Sequence, residues 1–293
     1  MPLVSAKGSG TATTPAKPLS TFPQPIERGD DAQVMGITHN ICAFGGKGSG
    51  KTTGIASVLP PGEKHVWFSF DNQTEKILSK PEFSSKNFVH HNGLDILKQK
   101  GDEFIGLDEM DRMLPKRGFD SMNSIIAQLR SHSEDRPGFV IFDTANVLKH
   151  ICDLSTRHSG PTERKFTASQ SVGEQNYAFW GKRNRIVTHI HNMAEMIAQR
   201  GIVYIFPYAF GNDGSDEGGT IKPDWSGFIE NQIEVTFHAK ANRVYSKGIY
   251  KGIEYYFDVY DSKDDGFIPN GVSFDMRARE LQSKMIGFFG GRA

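Results

Sequence analysis

The chain has 293 residues, 37% of them hydrophobic and 23% charged, and its 34 basic side chains balance 34 acidic ones. That suits a soluble globular protein and excludes recognition of nucleic acid by bulk charge, so any such contact needs a local patch or a potential built by an oligomer. No apolar run approaches the roughly 18 residues of a membrane span, the N-terminus lacks a signal-peptide core, and two cysteines, Cys42 and Cys152, make no disulfide framework; a cytoplasmic, reducing location with no membrane partner is expected.

Residues 1–30 are rich in Ser, Thr, Pro, Ala and Gly, have no period, and read as a disordered tail ahead of a single domain over 31–293. Ile37 to Phe44 reads as a strand, and 51–58 as a helix stopped by Pro60-Pro61-Gly62. Further strands are expected at His65–Phe70, Asn87–His91, Phe139–Phe142 and Ile202–Phe206. Helical spacing appears over Ser121–Ser131 and Tyr177–Arg200, and a helical turn or two is expected at 94–100, while 101–119 fits no pattern. Residues 153–175 read as a long mobile loop and 212–219 as a flexible one. Gln232–Lys240, Arg243–Tyr250 and Glu254–Ser262 read as three consecutive strands, with a helix over 275–286. Strands alternating with helices, followed by a meander, predict an α/β fold: a mostly parallel sheet flanked by helices and extended by C-terminal antiparallel strands.

The most informative stretch is 43–53, Ala-Phe-Gly-Gly-Lys-Gly-Ser-Gly-Lys-Thr-Thr. Gly45, Gly50, Lys51 and Thr52 fit the phosphate-loop pattern, between a strand and a helix as that motif requires. Glycines let the backbone of Gly45, Gly46, Lys47, Gly48, Ser49 and Gly50 turn tightly and aim N–H groups at a phosphate chain. Lys51 would reach the β- and γ-phosphates, the Thr52 hydroxyl would hold Mg²⁺, and Thr53 completes the nucleotide-binding loop. A P-loop NTPase using ATP and Mg²⁺ is therefore expected; no guanine-reading Asn-Lys-x-Asp occurs, which favours adenine.

Turnover needs a second carboxylate for the metal and a group that orients water. Asp143, ending the apolar run Phe139-Val-Ile-Phe, is the preferred metal ligand; Asp108-Glu109, after Phe104-Ile-Gly-Leu, competes. Asp71 follows the next strand, where an open α/β sheet places its ligand crevice, and is the candidate water-positioning group or base, with Glu75 behind it; a helix cap is the alternative. Gln73 could orient water but cannot act as a base.

The order of these motifs resembles the RecA-like core ATPases of phages and archaeal viruses, including the Sak-type single-strand-annealing proteins and short AAA-type relatives. The matching stretches are Gly45–Thr53, Val66–Asp71, Phe139–Thr144 and the late Asp258–Lys263 with Gly266–Gly271. The resemblance implies a RecA-like ATPase acting in DNA recombination, repair or replication in a prokaryotic or virus-infected cell. It places the Mg²⁺ aspartate at Asp143 and puts Gln73 where many relatives have a glutamate. It also puts Lys263 where the family has a lysine directed at the γ-phosphate of a neighbouring subunit, which requires a homo-oligomer, ring or filament. Single-stranded DNA would then contact the loop 153–175, with Arg157, His158, Arg164, Lys165 and Phe166, or the run Lys182-Arg-Asn-Arg185. Other classes stay open: a nucleotide-dependent switch, or a small-molecule phosphotransferase without DNA.

Overall fold

Apolar runs four to six residues long, buried on both faces, make the centre of one eight-stranded sheet. The computed structural model describes residues 39–71, 73–93, 107–159, 172–210, 221–223, 231–263, 268–276, 280–281 and 283–285. The strands are β1 (Ile41–Phe44), β2 (Lys64–Ser69), β3 (Asn87–Asn92), β4 (Phe139–Asp143), β5 (Gly201–Phe206), β6 (Tyr208–Phe210), β7 (Ile221–Pro223), β8 (Val235–Ser246), β9 (Ile249–Ser262) and β10 (Ser273–Asp275). The helices are α1 (Lys51–Val58), α2 (Thr74–Leu78), α3 (Leu107–Ser131), α4 (Ala145–Ser159) and α5 (Val172–Ile197).

The sheet order is β10-β9-β8-β1-β5-β4-β2-β3, with β6 and β7 paired apart as an antiparallel ribbon. From β3 to β8 every pairing is parallel, and β9 and β10 are added antiparallel. The expected α/β fold is the observed one. Strand β5 lies between β1, which leads into the glycine loop, and β4, which ends at Asp143.

Side chains alternate across the sheet and feed two cores. Phe44, Phe68, Phe142 and Tyr204 face one side, with Ile125 and Leu129 of α3, Leu148 and Ile151 of α4, and Ile190 of α5. Ala43, Trp67, Ile141 and Val203 face the other, with Ile55 and Leu59 of α1 and Phe257 of β9. Both cysteines are buried and free, as the absence of a disulfide framework predicted. Among the described residues no helix is long and apolar enough to cross a membrane.

Three expectations need correction. Residues 153–159 and 172–175 are helical, so the loop expected over 153–175 is narrower, and 160–171 lie outside the described residues. Helix α4 continues because its polar residues are satisfied inside: Thr156 Oγ1 donates to Cys152 O at 2.7 Å, and Ser155 Oγ lies 3.2 Å from Met122 Sδ. Helix α3 starts at Leu107, within the stretch that fitted no pattern and despite Pro115. Its Gly118 is a packing requirement, since a Cβ there would collide with Leu154 of α4. The three late strands are two long ones, β8 and β9, because the tight connection falls at Lys247-Gly248, both with positive φ (51° and 77°), the two-residue turn that matches strand twist. The expected tail over 1–30, the turns at 94–100 and the loop at 212–219 lie outside the described residues, and helical residues occur at 280–281 and 283–285 within the expected last helix.

Candidate nucleotide site

The parallel strands β1, β2, β4 and β5 all present their C-terminal ends at one edge, where an open α/β sheet has its crevice. There a cleft of about 1410 Å³ is lined by Gly45 to Gly48, Gly50 to Thr53, Asp71, Gln73, Asp143, Thr144 and Pro207, among others. The volume exceeds the few hundred Å³ of a small-ligand pocket and accommodates a nucleoside triphosphate.

The loop is shaped by its glycines. Gly45 packs so closely on the Ala239 carbonyl of β8 that a Cβ would collide with it. Gly50 takes φ 87° and would set a Cβ 2.8 Å from the Tyr255 ring. Gly50 is also the N-cap of α1, with no side-chain cap and no acidic residue in the first turn, so the helix keeps its N-terminal N–H groups and positive dipole end for an anion. Space is open over Gly48. Ser49 is buried behind the loop, where its Oγ has no partner among the described residues. Lys51 curls over the loop and donates to the carbonyls of Gly45 (2.8 Å) and Gly46 (2.9 Å). Burial lowers its pKa, opposed by the negative charges of Asp143 and Asp71.

Opposite the loop, Thr52 Oγ1 donates to Asp143 Oδ2 at 2.7 Å, joining residues 91 apart in sequence. Asp143 is 1% exposed. Burial pushes its pKa up to about 6; the hydrogen bonds from Thr52 and Thr74 and the charge of Lys51 work against that, while the charge of Asp71 adds to it. A cation at this spot would keep the carboxylate ionised, and a hydroxyl beside a carboxylate is a hard-oxygen donor set that suits Mg²⁺. The helix N-terminus, the open space over Gly48 and this donor pair together fit a nucleoside triphosphate with Mg²⁺. Asp108 and Glu109 lie in the first turn of α3 and do not end a strand as the competing reading required.

Asp71 lies at the cleft and makes the hydrogen bonds of the helix-cap alternative. Its Oδ1 accepts from Gln73 N (2.9 Å), Thr74 N (2.9 Å) and Thr74 Oγ1 (2.8 Å), capping α2. The fully buried Thr74 is the residue that sequence reasoning missed: its hydroxyl also lies 3.2 Å from Asp143 Oδ2 and so bridges the two carboxylates. Its signal was the Asp-x-x-Thr spacing, a capping pattern. Glu75 is exposed on the far side of that turn, lines a neighbouring hollow, and is not brought to the cleft.

Lys263 is not in the cleft either. Ser262 pairs with Val235, which pairs with Ile41 at the start of β1, so Lys263 sits at the opposite end of the sheet from the loop, donating to Asn231 O at 2.8 Å. Of the cations expected to meet DNA, Arg183 is 4% exposed and lies 3.6 Å from Asp153, which makes it part of the α4–α5 packing. Arg157 and His158 are exposed at the end of α4; Arg164, Lys165 and Phe166 lie outside the described residues.

Two further groups escaped the sequence because they come from distant elements. Tyr255 of β9 and Met276 flank Gly50 and line the cleft beside the loop. Lys86 donates to the carbonyls of Ala56 (2.6 Å), Ser57 (2.7 Å) and Leu59 (2.6 Å), closing the C-terminal end of α1, and burial lowers its pKa to about 8.

No protein-family model and no curated protein sequence matches the chain. Among solved structures it is similar to the RadB recombinase, with 13% identity, a TM-score of 0.40, and 81% of this chain covering 86% of that one. It is also similar to the Legionella pneumophila ATPase DotB, with 9% identity, a TM-score of 0.32, and 87% of this chain covering 53% of that one. The P4 protein of bacteriophage phi6, solved with ADP, gives 12% identity, a TM-score of 0.23, and 76% of this chain covering 55% of that one. The chain thus spans about half the length of the last two, and the functional reading rests on the side chains of the cleft.

Proposed function

We propose that the chain is a Mg²⁺-dependent ATPase with a RecA-like core that acts on single-stranded DNA in recombination, repair or replication, as a ring or filament of identical subunits. The observation that carries the nucleotide part is the 2.7 Å contact between Thr52 and Asp143 below an uncapped helix N-terminus. Bound Mg²⁺ would neutralise phosphate charge and hold the transferred group in line. Thr52 and Asp143 would hold that ion. Lys51 would exchange two loop carbonyls for phosphate oxygens. Asp71, pinned by Thr74 and the α2 backbone, would position the attacking water with Gln73. Tyr255 and Met276 offer an apolar flank for adenine. Lys263 reaches no phosphate in its own chain, so a finger role for it requires a neighbouring subunit.

A second reading, a nucleotide-dependent switch with little turnover, is favoured by one observation. Gln73 stands where a glutamate base would serve, and Glu75 is turned out of the cleft.

The test is ATP hydrolysis by the purified chain, with and without single-stranded DNA, alongside its mass by light scattering. Turnover stimulated by DNA in a ring- or filament-sized particle, and lost in Lys51→Ala, is the expected result. Turnover by a monomer that ignores DNA would overturn the DNA part, and normal turnover in Lys51→Ala would overturn the site.

A further inference from the structure

Strands β8 and β9 pair from Val235/Ser262 to the turn at Lys247-Gly248, but only their lower half belongs to the sheet. Val235, Phe237, Ala239, Phe257 and Val259 are buried. Beyond Ala239 the ribbon leaves the body: residues 240–243 and 245–251 are all exposed. Strand β8 pairs with the last residue of β1 through His238 and runs on to Ser246, past the phosphate loop, for roughly 25 Å at the usual rise per strand residue.

The arm is locally basic. Lys240, Arg243, Lys247 and Lys251 fall within 239–253, and no carboxylate does, although the whole chain is charge-balanced. Lys240 pairs with Asp258 of β9. Arg243, Lys247 and Lys251 make no ion pair among the described residues. Tyr245 and Tyr250 are direct cross-strand partners, 57% and 52% exposed, with ring centroids 5.7 Å apart. The register shift between Val244 and Tyr245 leaves Lys251 as the extra residue beside them.

We infer that this arm binds single-stranded nucleic acid, with the Tyr245–Tyr250 pair stacking unpaired bases and Arg243, Lys247 and Lys251 contacting phosphates. Exposed aromatic faces interleaved with unpaired cations are what a single strand recognises, because its bases offer free π-faces that a duplex keeps stacked inside. The root of the arm touches the nucleotide loop twice, through Ala239 on Gly45 and Tyr255 on Gly50. The inference rests on the DNA-associated reading above and assigns its contact surface.

The experiment is fluorescence anisotropy of a labelled oligothymidylate with the full chain in Mg²⁺ and ATP, titrated at several salt concentrations. The double variant Tyr245→Ala/Tyr250→Ala is expected to bind about ten- to a hundred-fold more weakly at an unchanged salt slope. Tyr245→Phe/Tyr250→Phe keeps the stacking faces and should bind as the parent does. Lys247→Glu/Lys251→Glu should bind weakly and flatten the salt dependence. Each variant should keep the parent's hydrolysis without DNA and its mass by light scattering, because the tip touches neither the cleft nor the core. If the parent binds the strand and the variants bind it equally well, the arm is not the contact and the DNA-associated reading survives. If the parent binds no nucleic acid, both fail. A fall in particle mass in the tyrosine variant would instead make the arm a contact between subunits, and equal binding of duplex that ignores the tyrosines would also overturn the inference.

Discussion

Replacing Asp143 by asparagine should make the nucleotide-free protein more stable while abolishing its Mg²⁺-dependent chemistry. The carboxyl is fully buried, and burial raises its pKa from 3.8 to about 6. Between those values the folded chain binds more protons than the unfolded one, so stability falls as pH rises through that window. Above pH 6 the cost is complete, about 3 kcal/mol for a shift of that size. Asparagine removes the charge and keeps an oxygen that can accept from Thr52 and Thr74, but its amide needs a new acceptor, so the net gain at pH 8 should be about 1–3 kcal/mol. For a domain of this size that raises Tm by roughly 2–6 °C. The assay is a thermal melt of both proteins without metal or nucleotide from pH 4.5 to 8. Wild type should lose stability relative to the variant as pH rises to about 6, with the gap constant above. Adding Mg²⁺ and ATP should stabilise wild type at pH 8 and not the variant. A lower Tm for Asp143→Asn at pH 8, or parallel pH profiles, would refute the argument from the buried carboxylate.

Three further pairs of substitutions, each a test with its control, probe the glycine loop, the end of α1 and the carboxylate at the cleft. Gly50→Ala should weaken nucleotide binding and cost about 2 kcal/mol or more, because φ 87° is strained for alanine and its Cβ meets Tyr255; Gly48→Ala, at φ 77° with open space, should show the strain alone, and equal effects in melts and nucleotide titrations would remove the Tyr255 contact from the account. Lys86→Met leaves three carbonyls of α1 without their charged donor, so a loss of about 2 kcal/mol and a raised KM for ATP are expected, whereas the exposed Lys80→Met should change stability little. Asp71→Asn should lower kcat for ATP at least tenfold while Glu75→Ala leaves it within about twofold; a large effect of Glu75 alone would return it to the site.

The glycine loop between a strand and a helix, the central strands and the place of Asp143 at a strand end were legible in the sequence because each depends on a local signal. Glycines at fixed spacing, unbroken apolar runs and an aspartate at the end of such a run do not depend on distant partners. Whether Asp108 ends a strand as Asp143 does was not legible, and Leu107 to Glu109 are the first turn of α3. Pro115 and Gly118 hid that helix, since propensity counts both as breaks and only the approach of Leu154 explains the glycine.

What the tertiary structure alone decided is which distant residues meet. Thr74 could not be known to bridge Asp71 and Asp143 until β2 and β4 were seen to be neighbours. Lys86 on the carbonyls of α1, Tyr255 and Met276 against Gly50, and Lys263 at the end of the sheet away from the loop all follow from strand order and register. The exposure of the β8–β9 arm belongs here too. Its alternation of tyrosine, isoleucine and lysine reads like any half-buried strand, because local periodicity records that a face is apolar and carries no information on whether another element covers it.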